Sequence, residues 1–261
     1  MSTILFDQIV YGPVHSRRLG VSLGINLSPT DGKRCTFDCI YCECGLNAEH
    51  ITHRRPPMRE AVSVALSGKL LQLKKEGVAP DSITFSGNGE PSMHPDFEKI
   101  IDDTIEIRNT ICPSAKIAVL SNSTMLHKAG VVRALNKVDE NLMKLDAASE
   151  ELFALIDQPV RPVTSFSVKK IIGDLQLFDG KLTIQTMFLK GELQGAPIDN
   201  TCDETVDLWI EALQKIRPEK VMIYTISRET PVKTLQKIPL EKLEKIADKV
   251  RKAGLPVTVS T

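Results

Sequence analysis

Apolar runs alternate with amphipathic stretches along the chain. Mostly apolar runs predict strands at residues 21–27, 82–87, 116–122, 141–147, 182–191, 220–227 and 256–260. Apolar residues at helical spacing predict helices at residues 58–77, 95–107, 125–136, 164–178, 203–216 and 239–253. Apolar strands separated by helices are typical of successive βα units on a parallel sheet.

The residues at several boundaries agree with this pattern. Gly77 ends the first predicted helix, Pro95 opens the second, and Thr164 is a candidate N-cap of the fourth. Six full βα units are fewer than the eight of a closed barrel, and right-handed crossovers are expected. We therefore predict an α/β fold, an incomplete (β/α)6 barrel or partial TIM barrel, with a doubly wound sheet as the alternative. Residues 1–261 show no linker or shift in composition, which predicts a single domain.

Composition is that of an ordinary globular protein. Hydrophobic residues make up 42% of the chain and charged residues 25%, and 33 Lys and Arg balance 33 Asp and Glu. This balance points to no nucleic-acid or membrane partner. The first ten residues do not resemble a signal peptide, and no apolar run is long enough to cross a membrane. We expect a cytoplasmic protein, in which disulfides are rare.

Polar side chains follow the predicted strands at the points where the strands end. The segments concerned are GNGEP (87–91), SNST (121–124), KLDA (144–147) and TISR (225–228). Active sites of such folds lie at the carboxyl ends of the strands. The sequence therefore predicts that these groups face one common mouth.

Four of the six cysteines lie within the segment CTFDCIYCEC (35–44). Cys35, Cys39 and Cys42 have the spacing C-x3-C-x2-C, so one short loop carries three thiols. Three thiolates can bind three irons of a [4Fe–4S] cluster and leave the fourth iron open. A zinc site with Cys44 as fourth ligand, a redox pair of Cys39 and Cys42, and buried structural cysteines are the alternatives.

The segments CTFDCIYC and GNGEP together resemble the cluster motif and the glycine-rich turn of the radical S-adenosylmethionine (SAM) superfamily. Further segments resemble a stand-alone subgroup grouped with the wyosine-base synthases that act on tRNA; they are YGPVHSRRLGVSLGINLSP, KLDA and VMIYTISRETP. Residues 1–34 contain no cysteine, so the resemblance does not include the second cluster expected of wyosine-base synthases.

The resemblance implies an enzyme with two cofactors, a [4Fe–4S] cluster and SAM. One electron from the reduced cluster would cleave SAM to methionine and a 5′-deoxyadenosyl radical, which takes hydrogen from a substrate. That substrate would be a small molecule, a nucleotide or a tRNA base. The electron would come from a flavodoxin or ferredoxin type of donor. An activase that places a radical on a partner protein and a zinc-binding, non-catalytic barrel are the alternative functions.

The resemblance also assigns roles to individual residues. Cys35, Cys39 and Cys42 are the expected metal ligands, and Lys144 and Arg228 the expected catalytic residues. The expected cofactor-binding residues are Tyr41, Gly87, Asn88, Gly89, Glu90, Ser121, Asn122, Lys144, Asp146 and Gln185.

Several of these residues also have an ordinary structural explanation. Gly87 and Gly89 fit a tight turn, Ser121 and Asn122 a helix cap, and Lys144 and Asp146 a buried ion pair. Two basic segments, HSRR (15–18) and HRRPP (53–57), are candidate phosphate contacts if tRNA is the substrate.

Overall fold

The computed structural model describes residues 4–16, 18–160 and 166–261. Its strands are β1 (Val10–Ser16), β2 (Gly20–Ile25), β3 (Ser82–Phe85), β4 (Lys116–Ser121), β5 (Glu140–Lys144), β6 (Thr183–Phe188), β7 (Lys190–Leu193), β8 (Ala196–Asp199), β9 (Lys220–Thr225) and β10 (Val257–Ser260). Its α-helices are α1 (Arg59–Lys75), α2 (Phe97–Ile111), α3 (Ala129–Leu135), α4 (Glu150–Ile156), α5 (Val168–Leu175), α6 (Asp203–Ile216) and α7 (Leu240–Lys252). The candidate N-cap Thr164 lies outside the described residues.

One mixed sheet forms the centre of the protein, in the strand order β1-β2-β3-β4-β5-β6-β9-β10. β1 pairs with β2 in antiparallel fashion, and every other neighbouring pair in this sheet is parallel. β1 and β10 lie at opposite edges, so the sheet does not close. The predicted partial barrel with six βα units is confirmed.

Helices pack on the sheet through apolar faces at regular spacing. In α1, Val62, Leu66 and Leu70 are buried, and their four-residue spacing places them on one side of the helix. Every residue of β3 and β6 is buried, as expected for parallel strands covered on both faces. Each fully buried Leu contributes about 1.5–3 kcal/mol relative to an exposed one.

Short elements were not predicted from the sequence pattern. α4 has seven residues, too few to show a helical period, and β7 and β8 form a separate antiparallel hairpin. The predicted helix at 164–178 is α5 and a short 3-10 turn, with its N-cap at Ser167, whose hydroxyl accepts the N–H of Lys170. β1 contains Gly12 and Pro13, which obscure its strand pattern.

The connection between β2 and α1 is the feature that places the functional residues. It comprises residues 26–58, far more than the few residues of an ordinary βα loop. It starts at the carboxyl end of β2 and contains the four clustered cysteines. In the described part of the chain, no helix is both long and apolar enough to cross a membrane.

Candidate active site

Polar side chains hold the cysteine-bearing segment in a compact loop, here called the cysteine loop (residues 33–47). Asp38 Oδ1 accepts hydrogen bonds from the backbone N–H and the side-chain Nδ2 of Asn47, both at 2.7 Å. Asn47 Oδ1 accepts the backbone N–H of Cys35 at 3.0 Å. These bonds fix the first cysteine relative to the end of the loop.

The cysteine loop also packs on α4. The backbone N–H of Ile40 donates to the carbonyl oxygen of Ile156 at 3.0 Å. Phe37 is 1% exposed and lies edge-on against Phe153, with ring centroids 5.4 Å apart. Because truncating a buried Phe costs about 3–5 kcal/mol, Phe37 holds the loop firmly on the barrel.

Three cysteines of this loop line one cavity. Cys35, Cys39 and Cys42 face a space of about 230 Å³ at the carboxyl ends of the strands, and the described cysteines are free thiols. Cys44 instead donates its thiol hydrogen to the carbonyl oxygen of Gly87 at 3.4 Å. Cys44 does not line this cavity, although its thiol lies next to that of Cys42.

Burial and hydrogen bonds give these thiols different acidities. Burial raises the pKa of Cys35 to about 12 and raises that of Cys39 well above the usual value. A hydrogen bond from Cys44 lowers the pKa of Cys42 to about 6, against the effect of burial. Cys42 is therefore the most acidic thiol of the three.

Lys33 is a cation on the same cavity. Its Nζ donates to the carbonyl oxygen of Gly45 at 2.6 Å and lies 3.3 Å from Asp38 Oδ1. Burial lowers the pKa of Lys33, but its acidic neighbours, the Cys42 thiol first, outweigh burial and raise the pKa above the usual value. Lys33 is charged at neutral pH.

The turn after β3 requires glycine at two positions. Gly87 and Gly89 have φ of +129° and +147°, a region that side chains avoid. A Cβ on Gly89 would lie 1.8 Å from the carbonyl oxygen of Arg34. The turn and the cysteine loop are hydrogen-bonded there, from Arg34 N–H to Asn88 O at 2.8 Å and from Glu90 N–H to Arg34 O at 3.1 Å. Glycine therefore permits the two segments to form one wall of the cavity.

Glu90 connects this turn to the end of β4. Its carboxylate accepts the N–H of Asn122 at 2.6 Å, the hydroxyl of Ser121 at 2.9 Å and both the N–H and the hydroxyl of Ser92. Burial raises the pKa of Glu90, although these bonds oppose the rise. Asn122 Nδ2 in turn donates to Thr36 at 2.8 Å and contacts the Cys35 sulfur at 3.6 Å.

Lys144 lies at the end of β5 between two buried carboxyl groups. Its Nζ is 2.9 Å from Asp146 Oδ2, 3.8 Å from Asp157 Oδ1 and 4.3 Å from the centre of the Tyr41 ring. Burial lowers the pKa of Lys144, but Asp146, Cys39 and Asp157 raise it well above the usual value. Lys144 is therefore a stable cation at the cavity wall.

Asp146 is fully engaged with protein groups. Its Oδ1 accepts the N–H of Met187 at 2.8 Å, and its Oδ2 accepts the Tyr41 hydroxyl in addition to facing Lys144. Asp157 accepts the thiol hydrogen of Cys39 at 3.5 Å, and burial raises its pKa well above the usual value. This network joins the cysteine loop to β5.

Ten of the predicted site residues line the cavity that the three cysteines face. They are Cys35, Cys39, Cys42, Gly87, Gly89, Glu90, Ser121, Asn122, Lys144 and Gln185. The strand pattern explains most of this convergence, since these groups end or follow neighbouring strands of the sheet, and Gln185 lies within β6. The residues that also line the cavity and were not predicted are Lys33, Ser86, Leu120, Leu142 and Tyr224.

The other predicted residues lie elsewhere. Tyr41 and Asp146 contact each other beneath the cavity wall. The Asn88 side chain bonds Phe6 and Pro29, away from the cavity. Arg228 is 61% exposed and pairs with Glu43 of the cysteine loop.

A larger cavity of about 550 Å³ lies at the opposite end of the sheet. Its walls include Lys116, Glu140 and Lys220, at the amino ends of their strands. The predicted site residues do not line it. Reactive groups converge on the smaller cavity, so size does not identify the site here.

The cysteine donor set fits three ligands of a [4Fe–4S] cluster. Three free thiols face one space, and each would bind a different iron. Among the described residues, no three His, Cys, Asp or Glu side chains converge on one point that would hold a single metal ion. A cluster of four irons does not need such convergence.

A family model described as the Radical SAM superfamily matches residues 30–195, well over half of the chain. The matched region contains the cysteine loop, the glycine turn and Lys144. The UPF0026 protein of Helicobacter pylori strain J99 is 30% identical over 227 residues, which cover 86% of this chain and 68% of that protein.

Two solved structures share the fold. A radical SAM methyltransferase from Sphaerobacter thermophilus matches with a TM-score of 0.64 and 13% identity, over 92% of this chain and 65% of that chain. Archaeal TYW1 matches with a TM-score of 0.54 and 12% identity, over 89% and 72% of the two chains. The chain spans about two thirds of the length of each of these proteins.

Proposed function

Because the chain belongs to the radical SAM superfamily and has UPF0026 proteins among its relatives, we propose that it is an enzyme that cleaves SAM reductively. The resulting radical would take a hydrogen atom from a substrate. The resemblance to this superfamily, based on two short segments, is confirmed by the family match over residues 30–195. Members of the superfamily bind a [4Fe–4S] cluster and SAM.

One observation carries the proposal: three cysteines, the glycine turn and Lys144 line the same cavity. Their joint position gives iron ligands, an exposed backbone and a cation within one small space. We assign Cys35, Cys39 and Cys42 as the cluster ligands.

When bound and reduced, the cluster supplies the electron that cleaves a carbon–sulfur bond of SAM. The protein holds the residues that would bind the cluster. Phe37 and the loop contacts with α4 hold the cysteines in position. A flavodoxin or ferredoxin type of protein is the proposed electron donor, and the cytoplasm is the proposed location.

We assign the glycine turn to the amino-acid part of SAM. Gly87 and Gly89 line the cavity without side chains, so a ligand can approach their backbone closely. The Gly87 carbonyl oxygen accepts a weak thiol donor, Cys44, and would accept an ammonium group more strongly. Glu90 keeps the turn in place through its bonds to Ser121 and Asn122.

Lys144 is the cavity cation that we assign to an anionic group, either the SAM carboxylate or a group of the substrate. Asp146 would act through Lys144, because both of its oxygens already accept bonds from protein groups. Gln185 and Tyr224 form the remaining polar wall. A nucleotide, a tRNA base or another small anionic molecule would match this chemistry.

The test is an anaerobic assay of the reconstituted protein. We expect about four irons per chain and, after reduction with dithionite, release of 5′-deoxyadenosine from SAM. Cys39→Ala should lose both, while Cys202→Ala, an exposed cysteine at the start of α6, should keep both. A folded wild-type protein that binds no iron, or that binds iron and leaves SAM intact, would overturn the proposal.

A further inference from the structure

Lys33 is a buried cation to which the proposed reaction assigns no role. Only 1% of its side chain is exposed, and it lines the cavity with Cys35, Cys39 and Cys42. Lysine is rarely buried to this extent, because removing an ammonium group from water is costly unless an opposite charge compensates.

Its protein partners compensate for only part of this cost. One partner, the Gly45 carbonyl oxygen, is neutral. The other, Asp38, lies 3.3 Å away, has a side chain that is 21% exposed, and also accepts two 2.7 Å bonds from Asn47. Water therefore screens the Lys33–Asp38 pair on its outer side.

Lys33 differs in this respect from the second cation of the cavity. Lys144 lies 2.9 Å from a carboxylate oxygen of Asp146, whose side chain has no exposed surface, so water does not screen the charge that compensates it. Asn122 contacts Cys35 only as a neutral donor. Of the two lysines that line the cavity, Lys33 is therefore the one whose charge the protein compensates less.

We propose that Lys33 is the counter-charge of the iron–sulfur cluster: its ammonium group balances the negative thiolate ligands and raises the reduction potential of the cluster. This inference rests on the proposed function, since it requires a cluster on the three cysteines. Lys33 is a positioning and tuning residue, and it takes no part in bond breaking.

Electrostatics gives the direction in which Lys33 changes the reduction potential of the cluster. Reduction adds one negative charge to a cluster whose three ligands are already negative. A fixed positive charge stabilises the reduced state more than the oxidised state, and a buried charge does so more strongly than an exposed one. Net charge and hydrogen bonds near the sulfurs are known determinants of such potentials.

The experiment compares four proteins reconstituted anaerobically, without SAM. Lys33→Gln removes the charge and keeps a donor for Gly45, whereas Lys33→Arg keeps the charge. Arg34→Gln is the matched control, because Arg34 is the next residue and its side chain is exposed. The midpoint potential is measured by stepwise reduction, followed by the electron paramagnetic resonance signal of the reduced cluster.

We expect Lys33→Gln to lower the potential by at least about 59 mV, which is a tenfold loss of preference for the reduced state. Lys33→Arg should remain close to wild type, and Arg34→Gln should be unchanged. Equal potentials in wild type and Lys33→Gln would overturn the inference and leave Lys33 a structural residue. A wild-type protein without a cluster would instead overturn the proposed function.

A second measurement covers the case in which Lys33→Gln does not retain iron. The thermal unfolding midpoints of the iron-free wild type and variants are compared. If Lys33→Gln without iron is as stable as wild type and Lys33→Arg retains iron, the charge is required for the cluster and the inference holds. If Lys33→Arg also loses iron, or if iron-free Lys33→Gln is unfolded, Lys33 stabilises the fold of the cysteine loop and the inference is wrong.

Discussion

The ammonium group of Lys144 lies 2.9 Å from a carboxylate oxygen of Asp146, whose side chain has no exposed surface. The same oxygen accepts the hydroxyl of Tyr41, a residue of the cysteine loop. One buried carboxylate therefore orients both the cation of β5 and the loop that carries the proposed iron ligands.

The first prediction concerns the loss of this cation. Lys144→Met leaves the buried Asp146 carboxylate without its positive partner, and breaking a buried pair costs about 3–5 kcal/mol. We expect a loss of stability in this range at neutral pH, measured by urea unfolding of the iron-free protein. Lys215→Met, at an exposed position of α6, should change stability by less than about 0.5 kcal/mol. Equal stability of Lys144→Met and wild type would show that the ion pair contributes nothing.

A second prediction concerns SAM affinity. In protein that retains its cluster, Lys144→Met and Asp146→Asn should each weaken SAM binding by about 1–3 kcal/mol, the size of a charged hydrogen bond. Equilibrium dialysis with radiolabelled SAM measures this directly. Unchanged affinity in both variants, with full iron content, would assign the pair to structure or to the substrate.

A third prediction concerns the glycine turn. Gly89→Ala places a methyl group 1.8 Å from the Arg34 carbonyl oxygen, at φ of +147°, so the turn and the cysteine loop must separate. We expect a loss of at least about 1–3 kcal/mol in unfolding free energy and poor retention of iron.

Gly68→Ala is the matched control for this variant. Gly68 lies within α1, and a Cβ there would have no neighbour within 4 Å. Ala is a better helix former than Gly by about 1 kcal/mol, so this variant should be more stable than wild type. If Gly89→Ala behaves like Gly68→Ala, the close approach of the two segments is unimportant.

The sequence predicts the barrel and most of the cavity wall for a definite reason. Parallel strands align their carboxyl ends, so polar residues that end neighbouring strands must meet. Gly87, Ser121 and Lys144 could be grouped in this way without knowledge of any contact. The proposed iron ligands follow from the spacing of Cys35, Cys39 and Cys42 together with the resemblance to a known family.

Residues whose role depends on long-range packing could not be found in this way. Asp157 lies at the end of a seven-residue helix, and only the docking of the cysteine loop on α4 brings it to Cys39 and Lys144. Lys33 precedes the motif by two residues and resembles an ordinary surface lysine in the sequence. Arg228 follows β9 as predicted, but its long side chain reaches outward to Glu43.

A fourth prediction concerns pH. Burial raises the pKa of Glu90 above the value of 4.5 that the unfolded chain would show. The folded state then holds its proton to higher pH than the unfolded state, so the contribution of Glu90 to stability falls as pH rises above 4.5. The unfolding free energy of the wild type should therefore fall relative to that of Glu90→Gln as the pH rises from 4.5 to 7. A constant difference across this range would contradict the raised pKa.

The last prediction separates Cys44 from the three proposed ligands through the behaviour of the cluster in air. Three protein ligands leave one iron open, so oxygen should bleach the visible absorption of the wild-type cluster. SAM would cover that iron, and its addition before exposure should slow the bleaching. Cys44 bonds to Gly87 rather than facing the cavity, so Cys44→Ala should bind the same amount of iron and bleach in the same way. Cys42→Ala should bind no stable cluster. If Cys44→Ala loses the cluster, or if SAM gives no protection to the wild type, a fourth protein ligand occupies the position that the proposed reaction requires to be open.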